Sequence, residues 1–290
     1  MIGVQNTGRS PADLADRNIG ERLLRDIGAA GGDGPIALAD AALALAARDE
    51  PVTDIAGYRD HLAALARDVG NAVAGTSTIG ERIAALNDIL FGTYAYRGDT
   101  TTYDDLQNAN LMRVIDRRKG LPVALGILYI HGGRSQGWQI SGLAFPGHFL
   151  VRLELAGERA IIDPFNAGAT RSPAELRDML KATAGIAAEL TPEHCASVGD
   201  RQVLLRLQNN IKLRLVQSQR LDRALSIVEG MLLFAPDCAA LWQEAGLLHA
   251  HFENYRAAIA ALEEFLGRDG GSTARQRTMA LLQQLKERLN

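Results

Sequence analysis

The sequence is short of several features that would announce a function. It has two cysteines in 290 residues, Cys195 and Cys238, too few for a disulfide framework and in keeping with a reducing compartment. No apolar run reaches the roughly 18–20 residues that span a bilayer. Met1 to Ser10 lacks the basic and then apolar pattern of a signal peptide, so a cytoplasmic location is the expectation. The formal charge is only −3, which argues against general binding to nucleic acid or to anionic membranes. His249 and His251 stand two apart on a predicted helix and share no face, and His131, His148 and Asp163 lack a metal-ligand spacing; no metal and no cofactor is expected. One further scarcity is local: no Ser, Thr or Cys occurs between Gly120 and Arg134.

What is present is an ordinary soluble composition, 47% apolar and 22% charged, in a chain long enough for one large domain or two average ones. Residues 1–9 are polar, without periodicity, and are read as disordered. Ser10-Pro11-Ala12-Asp13 has the order of a helix start, and the helix carries Leu14, Ile19, Leu23, Leu24 and Ile27 up to a stop at Gly28. Gly31 to Pro35 is a break, so residues 1–34 are set apart as an appendage.

An alanine-rich helix follows over 36–49. Periodic helices are predicted over about Asp54 to Val69 and Ile79 to Phe91. Gly92 to Asp105 reads as an ordered loop, and Asn108 to Lys119 as a short helix with a solvated basic end, Arg117-Arg118-Lys119. Leu121 to Arg134 is apolar nearly all round, the pattern of a buried helix, with Pro122 in its first turn. The period then changes to that of strands: Gln139 to Ala144, His148 to Leu155 and Arg159 to Asp163, with Ala156-Gly157 as a hairpin turn. Ser172 to Leu180 is a capped helix, and residues 181–200 form a connector.

Beyond the connector the chain is helical and repeats. At an offset of 34, Leu221 matches Tyr255, Ala224 matches Ala258, Leu225 matches Ile259 and Val228 matches Leu262, the tetratricopeptide period. Trp242, Ala245-Gly246 and Pro236 stand where that motif expects them. Residues 201–290 are therefore read as two repeats and a closing helix, and residues 35–180 as the main domain.

If Ala156-Gly157 form the turn, Leu155 opposes Glu158, and His148 and Asp163 become diagonal neighbours on one sheet face, roughly 7–8 Å apart between backbones. An imidazole beside a carboxylate after a buried helix is the base-and-orienter half of a nucleophilic triad. The order resembles the transglutaminase-like branch of the papain-like fold, in which a cysteine opens the buried helix. Counting back from Gly137 by the spacing of that branch lands on Pro122, which has no nucleophilic atom. Thiol acyl transfer by this helix is excluded.

The whole pattern resembles the bacterial SirB-one family, a transglutaminase-like domain fused to tetratricopeptide repeats, over about residues 36–270. The resemblance is carried by Arg117 to Pro122, by Gly142 to Arg152 and by Ile162-Asp163-Pro164-Phe165-Asn166. It implies an α+β fold: a helical lead-in, a transglutaminase-like core with a small antiparallel sheet, and a C-terminal helical solenoid. The resemblance implies a family whose members typically lack the cysteine too and whose biochemical activity is not established. Asp104-Asp105 and Asn108-Ala109 depart from the family pattern, which favours Asp-Pro and Asn-Ser there.

The functional expectation is a non-catalytic protein-interaction or regulatory protein with a degenerate site at His148 and Asp163, where Asn108, Arg152, Tyr96 and Tyr103 are candidate binding residues and the partner is a protein or peptide. Two alternatives stand beside it. One is a hydrolase in which His148 activates water with Asp163 as orienter; the other is a structural adaptor acting through the repeats. The adjacent His194-Cys195 offers a substitute thiol, but a cysteine activated by its sequence neighbour in a connector is a poor candidate.

Overall fold

The computed structural model describes residues 11–32, 34–49, 55–268 and 273–289. The expected disorder of residues 1–9, the Ser10 cap, Asp33 in the break and the Asp54 helix start lie outside these. Two compact units are present. Among the described residues, the first comprises those from Pro11 to Gly20 and from residue 34 to Leu207; the second comprises Glu21–Gly32 and those from Gln208 to Leu289. The segment read as an appendage is thus shared between them, through the long helix α1 (Pro11–Ala30).

In the first unit the close approach of α1 to α2 (Leu38–Asp49) is made by small residues. A Cβ on Gly20 would lie 3.3 Å from that of Ala44, and Ala39, Ala41, Ala42, Ala44 and Ala46 are all buried. The next helix, α3 (Ile55–Ala72), buries Ile55, Leu62, Leu65 and Val69 at helical spacing. Thr78 and Glu81 then form a reciprocal capping box that starts α4 (Ile79–Asn87). The helix expected to reach Phe91 widens instead into a π turn over Asp88–Thr93. The predicted loop that follows contains a two-residue strand, β1 (Arg97–Gly98). It pairs in parallel with β2 (Lys119–Gly120), which follows the short helix α5 (Leu111–Arg117). Sequence patterning cannot report strands this short, because two residues carry no period.

Directly after β2 comes the buried helix α6 (Pro122–Arg134), every residue of which from Pro122 to Ile130 is buried. It packs against β3 (Gln139–Leu143). The main sheet is antiparallel with the order β6-β5-β4-β3-β7, where β4 is Val151–Leu155, β5 is Glu158–Asp163, β6 is Ala169–Thr170 and β7 is Ser197–Val198. Leu155 opposes Glu158 as expected, across a turn in which Ala156 and Gly157 both have positive φ. Two readings need correction. The ladder begins at Val151, so His148 lies on a bend before β4 rather than on the strand. The connector is not wholly irregular, because its Ser197–Val198 closes one edge of the sheet.

Helix α7 (Pro173–Ala184), opened by a Ser172–Glu175 capping box, buries Leu176 and Leu180 against Leu143, Phe145 and Leu150. Helix α8 (Asp200–Gln217) divides between the units at Leu207. Within the first unit Asp200 is buried, receives both terminal nitrogens of Arg134 at 2.6 and 2.9 Å, and accepts the Ile36 N–H at 2.9 Å.

Among its described residues the second unit is built of helices joined by short turns. It holds the rest of α8, then α9 (Leu221–Phe234), α10 (Ala239–His251), α11 (Tyr255–Arg268) and α12 (Thr273–Leu289), each packed on the next from α9 onward. Repeat-equivalent Ala224 and Ala258 are both fully buried. Gly246 admits Leu262, whose Cδ2 would be 2.4 Å from a Cβ there, and Trp242 donates its indole N–H to the Pro236 carbonyl at 2.7 Å. Gly28 does not stop α1, which runs on to Ala30. The glycine instead lets α1 approach α9, since a Cβ would sit 2.3 Å from the Leu233 carbonyl oxygen.

Candidate functional site

Asp163 ends β5 and immediately caps a 3-10 turn, Pro164–Asn166. Its carboxylate is fully buried and saturated with donors. One oxygen takes His148 Nε2 at 2.8 Å and the backbone N–H groups of Phe165 and Asn166 at 3.1 and 3.3 Å. The other takes Asn166 Nδ2 at 2.7 Å and Arg171 through Nε at 3.2 Å and Nη2 at 2.8 Å. Burial alone would raise the carboxyl pKa, but the hydrogen bond and charge of His148, with the bonds from Asn166 and Arg171, hold it down at about 2. The aspartate is therefore an anion in the folded protein.

This fixes the imidazole. An ionised carboxylate only accepts, so His148 Nε2 must carry the proton, which leaves Nδ1 as the variable atom. It has no hydrogen-bond partner among the described residues. The His148 side chain is 19% exposed, open enough to meet a ligand. Its ring stands edge-on to Phe165 at 5.9 Å, and Phe165 stands edge-on to the half-exposed Tyr103 at 5.8 Å. Phe165 also lies on Gly98, where a Cβ would be 2.6 Å from the ring. Since Gly98 pairs with Gly120 just before α6, and the Pro164–Asn166 turn packs on α6, the start of the buried helix belongs to the same end of the domain. Pro122 occupies the first turn there, itself buried. The first turn of α6 thus carries no nucleophilic side chain, while His148 and Asp163 are hydrogen-bonded to each other.

The support for Asp163 extends across the fold. Tyr129 of α6, fully buried, donates to Asn87 Oδ1 at 3.0 Å, and Asn87 Nδ2 donates to the Gly168 carbonyl at 3.1 Å. Gly168 N–H in turn reaches the Asp163 carbonyl at 3.0 Å. Arg171, Asn166 and Asn87 are not among the candidate site residues that the sequence singles out. Only Asn166, in the Asp-Pro-Phe-Asn run, carried a local signal.

The other candidate residues are placed as follows. Asn108 is fully buried; its Nδ2 donates to the Thr102 carbonyl at 2.6 Å and its Oδ1 accepts from Arg117 at 3.1 Å. Arg117 also pairs with the buried Asp99 at 3.1 Å, so this triad locks the 99–108 loop. Tyr96 is 2% exposed, with its hydroxyl between His61 Nε2 and Arg118 Nη1, each at 2.8 Å. Burial, and then the Arg118 charge, lowers the His61 pKa to about 4. The basic run is thus not a solvated helix end: Arg117 and Arg118 are built into the fold, and Arg118 also lies over the Tyr94 and Tyr96 rings. Arg152 donates to the Cys195 carbonyl at 3.1 Å and Ser197 Oγ at 2.6 Å, and pairs with Glu154 at 2.7 Å. Of the four, Tyr103 alone belongs to the aromatic wall beside His148.

Cys195 stands in surroundings that do not activate a thiol. Burial pushes its thiol up, against a smaller opposing effect of Arg152, the reverse of activation. The His194 ring is occupied with the Thr191 N–H at 3.0 Å. No cluster of three or more His, Cys, Asp or Glu suited to a metal occurs among the described residues, and no helix there is long and apolar enough to cross a membrane.

Comparison with known proteins agrees with this architecture. Residues 56–209 match the transglutaminase-like superfamily and residues 211–285 match a tetratricopeptide repeat family. A UPF0162 protein of Vibrio cholerae is 30% identical over 230 residues, covering 79% of this chain and 85% of the relative. Protein SirB1 of Salmonella typhimurium is 26% identical over 187 residues, covering 64% and 69%. UPF0162 protein YchA of Escherichia coli is 24% identical over 220 residues, covering 76% and 80%.

Proposed function

The chain belongs to the transglutaminase-like superfamily, within the family of the SirB1 and UPF0162 proteins, and from that premise we propose a non-catalytic protein-interaction or regulatory role. The observation that carries this reading is a 2.8 Å His148–Asp163 pair kept in working geometry beside a helix that begins with a buried proline. Such a site retains the means to hold an extended peptide and lacks the atom that would form a bond with it. His148 Nδ1, with Phe165 and the exposed Tyr103 ring as an apolar wall, is the contact surface. The repeats supply a second one. Leu213 and Leu247 are equivalent at the 34-residue offset, and both are exposed, 56% and 49%.

Quantitative affinity capture from the native cell tests this reading by comparing wild type with His148→Ala and with Leu213→Ala/Leu247→Ala. A partner whose affinity falls about tenfold with the histidine change, the worth of one good hydrogen bond, supports recognition at the groove. A partner indifferent to His148 and lost with the two leucines makes the protein an adaptor acting through its repeats. The hydrolase reading is favoured by one observation, the anionic state of Asp163, which suits a general base pair. It requires ester or peptide hydrolysis that disappears in His148→Ala; the binding reading expects no such turnover.

A further inference from the structure

His148 sits in a five-residue bend, 145–149, that no strand ladder holds, so something else must fix where the imidazole points. The two phenylalanines at its ends are fully buried on different partners. Phe145 joins the cluster under α7, whereas Phe149 fills the spaces left by Gly126 and Gly142, where a Cβ would lie 2.3 and 2.7 Å from its ring. Between them Gly147 has φ +71, and a Cβ would lie 2.1 Å from Thr183. The His148 N–H turns back onto the Pro146 carbonyl at 2.8 Å.

One side chain reaches both ends of this bend. Arg206, on the first two turns of α8, donates through Nη1 to the Phe145 carbonyl at 2.9 Å, and its guanidinium carbon lies 5.5 Å over the Phe149 ring. We propose that Arg206 is the positioning residue of the site: it clamps the 145–149 bend at both ends and thereby fixes the His148 imidazole against Asp163. The planar guanidinium suits the task, because one face can lie on the aromatic ring while an edge donates to the carbonyl. Loss of this clamp leaves the bend held by packing and the single His148 N–H to Pro146 carbonyl bond, and the imidazole then samples orientations in which Nε2 leaves Asp163. The proposal rests on the reading of His148 as the recognition group of the groove.

Nuclear magnetic resonance of the imidazole protons in the full chain provides the test. In wild type the Nε2–H held by Asp163 gives a far-downfield proton resonance, identified by its loss in His148→Gln. Arg206→Met retains much of the apolar packing on Phe149 and removes the donor. Solvent exchange of the His148 Nε2 proton is expected to accelerate about tenfold or more in this variant. Arg206→Lys keeps a cation and a donor but lacks the planar fork that lies on the ring while donating to the carbonyl, and it is expected to leave His148 exchange faster than in wild type. A merely structural role would lower the unfolding temperature and leave the exchange rate in the native spectrum unchanged. Wild-type exchange in Arg206→Met overturns the proposal. If Arg206→Met does not fold, a folded Arg206→Lys with unprotected His148 supports the clamp, and one whose His148 shifts and exchange match wild type in every respect overturns the need for the guanidinium. The readout needs no ligand, so its failure leaves partner capture standing, and failed capture leaves this result standing.

Discussion

Replacing Asp163 by alanine should destabilise the first unit far more than it changes its surface. The carboxylate is fully buried and is the common acceptor for His148, Asn166 and Arg171. Its removal leaves the Arg171 guanidinium facing a void and the Phe165 and Asn166 N–H groups without their acceptor. Breaking a buried ion pair from one side costs about 3–5 kcal/mol. The side chains of His148 and Arg171 are each 19% exposed, so water can reach both partners and the lower end, about 3 kcal/mol, is expected. The two tryptophans make the assay clean. Trp138 lies in the first unit under Arg82, and Trp242 lies in the second, so urea unfolding followed by fluorescence in a Trp242→Phe background reports the first unit alone. Arg171→Ala measured in the same way should be less than additive with Asp163→Ala, with a coupling of about 1–3 kcal/mol. The pH dependence has a definite sign. Asp163 has a pKa of about 2 in the folded chain against an ordinary 3.8, so its contribution is present above pH 4 and fades as pH falls from 4 towards 2. Additivity of the two substitutions within about 0.5 kcal/mol would refute the reasoning.

Three other outcomes follow from the same structure. His61 stays neutral in the folded chain down to about pH 4, whereas its ordinary pKa is 6.5. The unfolded chain therefore binds the extra proton between these values, and stability falls as pH drops from 6.5 to 4. Because the imidazole is only half-buried, the expected loss is screened to about 1 kcal/mol, and His61→Gln should flatten that slope in pH-dependent urea titrations. Gly168→Ala places a methyl group 1.9 Å from Asn87 Oδ1 at a backbone φ of +72; a loss of about 2 kcal/mol or more is expected at Trp138. Gly28→Ala drives a Cβ to 2.3 Å from the Leu233 carbonyl and should cost about 1–3 kcal/mol, read at Trp242 in a Trp138→Phe background.

The elements legible in the sequence were those with a repeated physical cause. Helix α6 announced itself because its whole circumference is apolar, and the repeats because Ala224 and Ala258 recur with their neighbours at one offset. The hairpin register followed from two turn residues and the period of two, and Leu155 does oppose Glu158. The pairing of His148 with Asp163 was reachable by the same count, although the structure makes it from a bend outside the ladder. What stayed hidden were contacts with no period and large separation. Arg171 reaches Asp163 by way of a turn and a two-residue strand, Asn87 reaches Gly168 across 81 residues, and Arg206 reaches Phe145 across 61. Tyr96 and Asn108 misled for the converse reason, since a polar group near a motif looks available until its partners are known.

The proline at 122 is informative because of what the rest of the site has kept. Pro at the first position of a helix costs nothing locally, since the N–H it lacks would be unpaired there in any case, so helix stability alone does not discriminate between proline and a nucleophile at that position. Asp163 is different. An aspartate buried to this degree, needing an arginine, an asparagine and two backbone amides to remain charged, is an expensive way to end a strand if only a turn is required; a buried polar network has to be complete to be tolerated. The network is complete here, and it presents an imidazole with a fixed Nε2 proton and an open Nδ1. A histidine with a purely structural part is held as His61 is, its Nε2 between the Tyr96 hydroxyl and Arg118. The geometry at His148 instead leaves Nδ1 open at the surface beside a fixed Nε2 proton, which fits the recognition role proposed above.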